Sequence, residues 1–312
     1  MDELYAKLKE FGRVRANEVM RKHTTFQIGG AVQFLVEVTE TEKLVGLLDY
    51  LTDEGVPYFI LGGGSNLLWT DENFEGVVIK VKTSKFQVKD NIIEAEAGVQ
   101  LPLVVNLATQ NGLAGVEWAV GIPGTIGGAT RGNAGAMGQD MSKSVFKAQV
   151  WRVGEVVELN NQECGFVYRG SSFKQSGGVV LRVWLKLTPA DKKQILIQTQ
   201  KYSAQRQGKF PAFPSAGSFF KNIKLKDWPG DIQKLPSIYV ERQMIPAGWV
   251  IEQAGLLGLK VGGATVAKEH GNFIINAGAA RQEDVLTLVE KVKEEVYNKF
   301  KVELQSEVEI LK

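Results

Sequence analysis

Residues 121–138 read GIPGTIGGATRGNAGAMG and hold seven of the chain's 34 glycines, with Pro123 fixing one φ angle and Arg131 as the sole charge. Glycine loses more conformational freedom on folding than any other residue, so such density implies backbone that must approach something closely. On this reading Gly121, Ile122, Pro123, Gly124, Thr125, Ile126, Gly127 and Gly128 line a concavity where exposed N–H groups bind phosphate oxygens without a lysine. The plainer alternative is a tight turn between strands. A second loop, Gly62-Gly63-Gly64-Ser65-Asn66, directly follows the strand-like VPYFIL and suits a second part of the same ligand. Two such loops point to an extended ligand bearing a pyrophosphate. Neither matches G-x-G-x-x-G, and G-x-x-x-x-G-K-[ST] is absent, so a Rossmann or P-loop site is not supported.

The whole chain sets the frame for these loops. Its 312 residues are 44% hydrophobic, enough for two or three compact units. Lysine and arginine number 37 against 35 acidic residues, a net charge of +2 that is too small to mark a nucleic-acid or membrane-surface binder. No run approaches the roughly 18 apolar residues of a membrane span, and the first 25 residues lack the apolar centre of a signal peptide. The expectation is a cytoplasmic protein. A single cysteine, Cys164, forms no internal disulfide, and two histidines, His23 and His270, make no metal cluster. A metal-dependent mechanism is therefore not expected.

Periodicity divides the chain. Leu4, Leu8 and Phe11 predict a helix within residues 1–20, and FQIGGAVQFLVEV a strand after it. Thr39 with Glu42 predicts a capping box for a helix carrying Leu44, Leu47, Leu48 and Leu51, closed near Gly55. A second part is expected to open with GVVIKV, FQVKD and IIEAEAG, followed by a helix over 101–111 closed by Gly112. Strands at AQVWRV, VVELN and VVLRVWLKL complete it. Near residue 190 the composition changes to a polar helix, the stretch AGSFFKN (216–222), a proline-bearing insert over 224–246, and a last helix on Val285, Leu288, Val292 and Val296. The main boundary is placed there, giving domains over 1–190 and 191–312, with the first split near 66–76.

Taken together and in order, ILGGGSNLLW, GIPGTIGGATRGNAGAMG, FVYRGSSFK, AGSFFKN, AGWVIEQAGLLGLKVGGATVAKEHGNFIIN and LQSEVEI resemble the UDP-N-acetylenolpyruvoylglucosamine reductase (UDP-N-acetylmuramate dehydrogenase) family. The resemblance spans roughly residues 20–311 and rests on six separated motifs. It implies an α+β fold: an FAD-binding region of the vanillyl-alcohol-oxidase (PCMH) type in two subdomains, then an α+β substrate-binding domain. It also implies a flavoenzyme of peptidoglycan precursor synthesis that acts on small molecules; with the small net charge and the lack of an apolar span, the expectation is a cytoplasmic monomer without nucleic-acid or membrane partners. NADPH reduces non-covalent FAD, and hydride then passes from flavin N5 to C3 of the enolpyruvyl group. Negative charge spreads over C2 and the carboxylate, and a proton must reach C2.

The same resemblance assigns roles that the residues alone leave open. Arg169, in YRGSSF, matches the arginine that faces the substrate carboxylate; by itself it reads as a surface ion-pair partner. Glu307, in QSEV, matches the glutamate that stabilises the enolate beside it; by itself it reads as an exposed acid, no different from Glu303 or Glu309. Ser218 matches the proton donor to C2, a role a hydroxyl can fill only against a far more basic carbanion-like intermediate; by itself it reads as a turn residue. Lys221 or Lys209 is placed to offset the transient alkoxide. Gly62 to Asn66, Gly121 to Gly128, Asn133 and Gly135 are implied to surround FAD, and Tyr168, Lys209, Asn222 and His270 to meet the substrate. The chain departs from the family at Ile223, where proline is common. Its spacing between Arg169 and Ser218 matches the shorter form, which lacks a tyrosine loop that closes over the substrate; Tyr239 is the candidate replacement. The competing reading on the same flavin fold is an oxidase or dehydrogenase of alcohols or hydroxy acids. A third is a nucleotide-binding module without catalysis.

Overall fold

A computed structural model describes residues 2–206, 208 and 210–311. It divides into two units, the first of Met1–Glu18, Val32–Gly63 and Phe74–Gln207, the second of Val19–Ala31, Gly64–Asn73 and Gly208–Lys312. The polar helix Lys192–Arg206 thus falls in the first unit, and the chain leaves that unit within the Gly62 to Asn66 loop, between Gly63 and Gly64.

The two larger sheets of the first unit share one core. In one, the order is Arg13–Val19, Ala31–Val38, Phe74–Val81, Tyr58–Leu61, and the last three strands run parallel, with Leu35 and Phe59 both opposite Val78. Phe74–Val81, expected to open the second part, is instead an inner strand of this first sheet. Its run Gly76-Val77-Val78-Ile79 is buried throughout, as a strand covered on both faces requires. Helix Thr41–Asp53 makes the crossover and packs Leu44, Leu47, Leu48 and Leu51 against Phe34, Val36, Val77 and Ile79. The capping box expected at Thr39 does not form. The helix starts at Thr41, after an extended Glu40 with no side-chain cap, and the Thr41 hydroxyl donates to the buried Glu96 Oε1 (2.9 Å). The first helix is likewise shorter than expected, Asp2–Leu8, because the chain turns at Gly12 into strand Arg13–Val19. A Cβ at Gly12 would lie 2.2 Å from the Glu37 carbonyl oxygen of the neighbouring strand. In FQIGGAVQFLVEV only Ala31–Val38 is strand.

The second sheet is antiparallel throughout, in the order Glu155–Asn160, Val145–Arg152, Val179–Lys186, Ile92–Glu96, Phe86–Lys89. Helix Leu101–Gln110 covers it and ends at Asn111 with Gly112 left-handed, as expected. Cys164 lies in this core; burial pushes its thiol up to about 11, so it is no nucleophile near neutral pH.

In the second unit the sheet order is Ser215–Ser218, Phe273–Asn276, Ala264–Val266, Lys260–Val261. Helix Gln282–Phe300 buries Val285, Leu288, Val292 and Val296, the stripe its sequence predicts. The insert over 224–246 is tied at its neck by antiparallel pairing of Ile223 with Ile245. Within the unit Trp228, Tyr239, Trp249 and Phe300 form an aromatic cluster.

Candidate functional site

The two glycine loops touch each other. A Cβ added at Gly62 would sit 2.8 Å from Thr125 Oγ1, and one at Gly63 2.6 Å from Gly124 Cα. At these positions, therefore, the close approach that glycine permits is between loop and loop. Thr125 is buried, and its hydroxyl accepts from Gly128 N (3.3 Å), capping the short helix Ile126–Arg131. Part of the expected amide row is engaged inside the protein: Ile122 N donates to Ala119 O, Ile126 N to Val99 O and Gly127 N to Ala97 O. These bonds flank an antiparallel bridge between Gln100 and Thr125 and hold segment 124–127 against the sheet. What results is a strip of backbone, Gly62-Gly63 against Gly124-Thr125, almost bare of side chains. Its chemistry fits a diphosphate-bearing cofactor better than an apolar one. Beyond Gly63, Gly64 has φ +65°, its carbonyl accepts from Thr25 N (3.0 Å), and Ser65 and Asn66 lead into the strand Leu67–Leu68.

Arg169 lies in a tight turn. Val167 and Gly170 exchange both backbone hydrogen bonds (3.0 and 3.1 Å), and Arg169 takes the left-handed conformation, φ +59°. Its Nη2 donates to Gly135 O (2.8 Å) and its guanidinium stacks over the Tyr168 ring at 5.0 Å. Asn133 is buried beneath, its amide joined to Val167 O and Ser142 N.

Ser218 ends a bulged strand. Ser215 pairs with Ile275 and Ser218 with Phe273, so one residue is extra, and the left-handed member of the bulge is Gly217, φ +78°. A Cβ at Gly217 would meet nothing within 4 Å, so this glycine serves the backbone conformation rather than a close approach within the protein. The next residues are clamped on both sides. On one, Phe219 N donates to Asn272 O, and the Asn272 amide accepts from Phe220 N and donates to Phe220 O (each 2.8 Å). On the other, Glu307 N donates to Phe219 O and Lys221 N to Gln305 O, with Phe220 bridged to Ser306. That antiparallel register brings Glu307 alongside Ser218-Phe219, with Phe219 and Phe220 buried. Glu307 and Glu309 are half-buried whereas Glu303 is exposed, so burial sets Glu307 apart from Glu303 but not from Glu309. Asn66 joins them: its Nδ2 donates to Glu307 O (3.2 Å), and Glu309 N donates to Asn66 O (3.1 Å).

A family description, the C-terminal domain of UDP-N-acetylenolpyruvoylglucosamine reductase, matches residues 208–311, and an FAD-binding domain matches 32–160. The reductase of Carboxydothermus hydrogenoformans is 40% identical, over 98% of each chain, and that of Bacillus subtilis 36% identical, over 100% of this chain and 99% of the relative. A crystal structure of the reductase from Thermus caldophilus superposes with a TM-score of 0.79 at 34% identity, covering 97% of this chain and 100% of that one. The chain belongs to the UDP-N-acetylenolpyruvoylglucosamine reductase family. Its fold is accordingly α+β, an FAD-binding region joined to the family's C-terminal domain, and FAD is its cofactor.

For this reductase fold the remaining expected residues divide. Asn222 Oδ1 accepts from Ala247 N (3.1 Å), which opens helix Ala247–Gln253. His270 is half-buried against the same helix: a Cβ at Gly248 would meet its Cε1 at 2.8 Å, and its Nδ1 accepts from Asn272 N (3.1 Å), which leaves the neutral ring's proton on Nε2. Lys209 lies outside the described residues. Tyr239 packs its ring edge-on against Trp249 at 5.5 Å, and burial raises its phenol above the ordinary range; it is a member of the aromatic cluster. Asn272 was missed by sequence reading although it stands in HGNFIIN, because its partners are 52 residues away. No described helix is long and apolar enough to cross a membrane.

Proposed function

We propose that the protein reduces the enolpyruvyl ether of UDP-N-acetylglucosamine to UDP-N-acetylmuramate at the expense of NADPH. Bound in this region, FAD would supply the hydride-transfer chemistry that links NADPH to C3 of the enolpyruvyl group. Amides of the bare strip, Gly63, Gly124 and Thr125, with Gly121 just before it, would hold the diphosphate of the cofactor, since their neighbours Ile122, Ile126 and Gly127 already donate to protein carbonyls. Arg169 presents a fixed positive fork to the substrate carboxylate, where charge grows in the transition state. Ser218 gives its proton to C2, and Glu307 stabilises the enolate by hydrogen bonding. Lys221, three residues on from Ser218, offsets the alkoxide left on the serine. Asn222, His270 and Tyr168 orient the UDP-sugar. The reading makes the chain a cytoplasmic monomer that meets only small molecules.

The observation that supports this reading is the register in which Glu307 N donates to the carbonyl of Phe219, the residue next to Ser218, with Phe220 bridged to Ser306. The test is anaerobic spectroscopy of the purified holoprotein. NADPH is expected to bleach the flavin, and the enolpyruvyl UDP-sugar to restore its colour without oxygen. Colour that returns with oxygen alone marks an oxidase and sinks the proposal.

A further inference from the structure

Around Arg169, hydrogen bonds and one strand pairing close into a ring. Asn133 Nδ2 donates to Val167 O (2.9 Å), a carbonyl of the turn that holds Arg169; Asn133 Oδ1 accepts from Ser142 N (3.0 Å). Ser142 N also donates to Asp140 Oδ1 (3.1 Å), Asp140 pairs with Gly135 across the hairpin, and Gly135 O accepts from Arg169 Nη2 (2.8 Å). Asn133 is only 3% exposed and itself left-handed, φ +43°, so its amide is committed to the protein on both edges. A carboxamide answers this geometry, one edge donating and the other accepting.

Glycine at 135 is required first by the hairpin itself, since a Cβ there would stand 2.5 Å from Gln139 O and 2.7 Å from Asp140 Cβ; it would also stand 3.1 Å from Arg169 Nη1. Left-handed backbone at a non-glycine residue persists only where the surroundings over-determine it, and here they do so from three directions. We propose that Asn133 is the positioning residue for Arg169: it fixes the turn, and with Gly135 it aims the guanidinium at an anionic group of the substrate. The inference rests on the function proposed above, in which Arg169 meets the carboxylate. It gives Asn133 and Gly135 a task directed at substrate, where family resemblance implies one directed at FAD.

The test uses the holoprotein with Asn133→Asp, which keeps the acceptor for Ser142 N and turns a carboxylate oxygen toward Val167 O. Asn133→Gly serves beside it, because glycine keeps φ +43° without strain and folds if aspartate does not. Misplacing a reacting group by about 1 Å can cost on the order of 10²-fold, and a loss of that size is expected in flavin reoxidation by the UDP-sugar. Flavin reduction by NADPH and the flavin spectrum are expected to stay at wild type, and calorimetric titration of the UDP-sugar onto oxidised protein to weaken. In an Arg169→Ala background the Asn133 substitutions are expected to add nothing to either measurement. Reoxidation that stays fast in both Asn133 variants while Arg169→Ala is slow overturns the proposal alone, as does a loss that multiplies independently of Arg169. Fast reoxidation in Arg169→Ala itself removes the functional reading beneath it, and the proposal with it.

Discussion

In the turn at 167–170 the left-handed residue is Arg169 itself, φ +59°, whereas ahead of Ser218 that conformation falls on Gly217, φ +78°. Both devices aim a polar side chain, but they distribute strain differently. The serine follows a bulge whose awkward position glycine occupies at little steric cost, and the chain beyond it is held like a sheet strand by Asn272 on one side and by Gln305 and Glu307 on the other. The arginine carries the strained conformation in its own backbone, and the ring through Asn133, Ser142 and Gly135 compensates. On the proposed roles, main-chain register suffices to support the proton donor, whereas the charged fork has its own anchor.

The largest expected effect separates the chemistry of the second device from its scaffold. Ser218→Ala is expected to slow flavin reoxidation by the enolpyruvyl UDP-sugar on the order of 10³-fold, within the range for losing a positioned proton donor. Flavin reduction by NADPH, followed by stopped-flow absorbance, is expected to keep its rate. Two equally fast half-reactions would remove Ser218 from the mechanism.

Next comes the clamp. Asn272→Ala leaves Phe220 N and Phe220 O without their side-chain partner in a site where Asn272 is 3% exposed. Each buried polar group left unsatisfied costs about 1–3 kcal/mol, so a loss of about 3 kcal/mol is expected in urea unfolding. A loss under about 1 kcal/mol, the scale of one ordinary exchanged hydrogen bond, would mean that water replaces the amide and that the clamp is not what holds the strand.

These two residues also mark how far the sequence could be read. Helix Gln282–Phe300 was legible because Val285, Leu288, Val292 and Val296 repeat at the helical period and are all buried, and Gly55 and Gly112 mark helix ends by local backbone demands. The sheets were legible as strands but not as pairings: nothing local tells Phe74–Val81 that it lies between Ala31–Val38 and Tyr58–Leu61. The capping box failed for the same reason. The Thr41 hydroxyl is drawn to Glu96, 55 residues on. At the candidate site, Ser218, Arg169 and Glu307 were singled out by family resemblance, while Asn272 and the task of Asn133 depend on partners 52 and 34 residues away. Motif residues are visible in sequence; the residues that aim them are visible only through contacts.

A smaller effect tests the bulge. At Gly217 a Cβ has open space, so Gly217→Ala changes only the backbone preference. Forcing an L-residue into the left-handed region costs about 1–2 kcal/mol, and unfolding is expected to report that loss, with reoxidation slowed as Ser218 shifts. Unchanged stability would mean that the bulge relaxes to ordinary strand geometry.

The smallest effect isolates strain at Arg169. Arg169→Ala and Arg169→Gly both delete the guanidinium, its hydrogen bond to Gly135 O and its stacking on Tyr168, so they differ only in what φ +59° demands of the backbone. Glycine accepts that conformation and alanine does not, while the unfolded chain of the glycine variant has more freedom to lose. The steric side is worth about 1–2 kcal/mol per residue and the entropic side roughly 0.5–1, so the glycine variant is expected to be more stable by about 1 kcal/mol. Both variants are expected to reoxidise slowly. Equal thermal midpoints for the two would show that the turn abandons its left-handed residue once the guanidinium is gone, and that Gly135 and Asn133 hold the arginine rather than the loop.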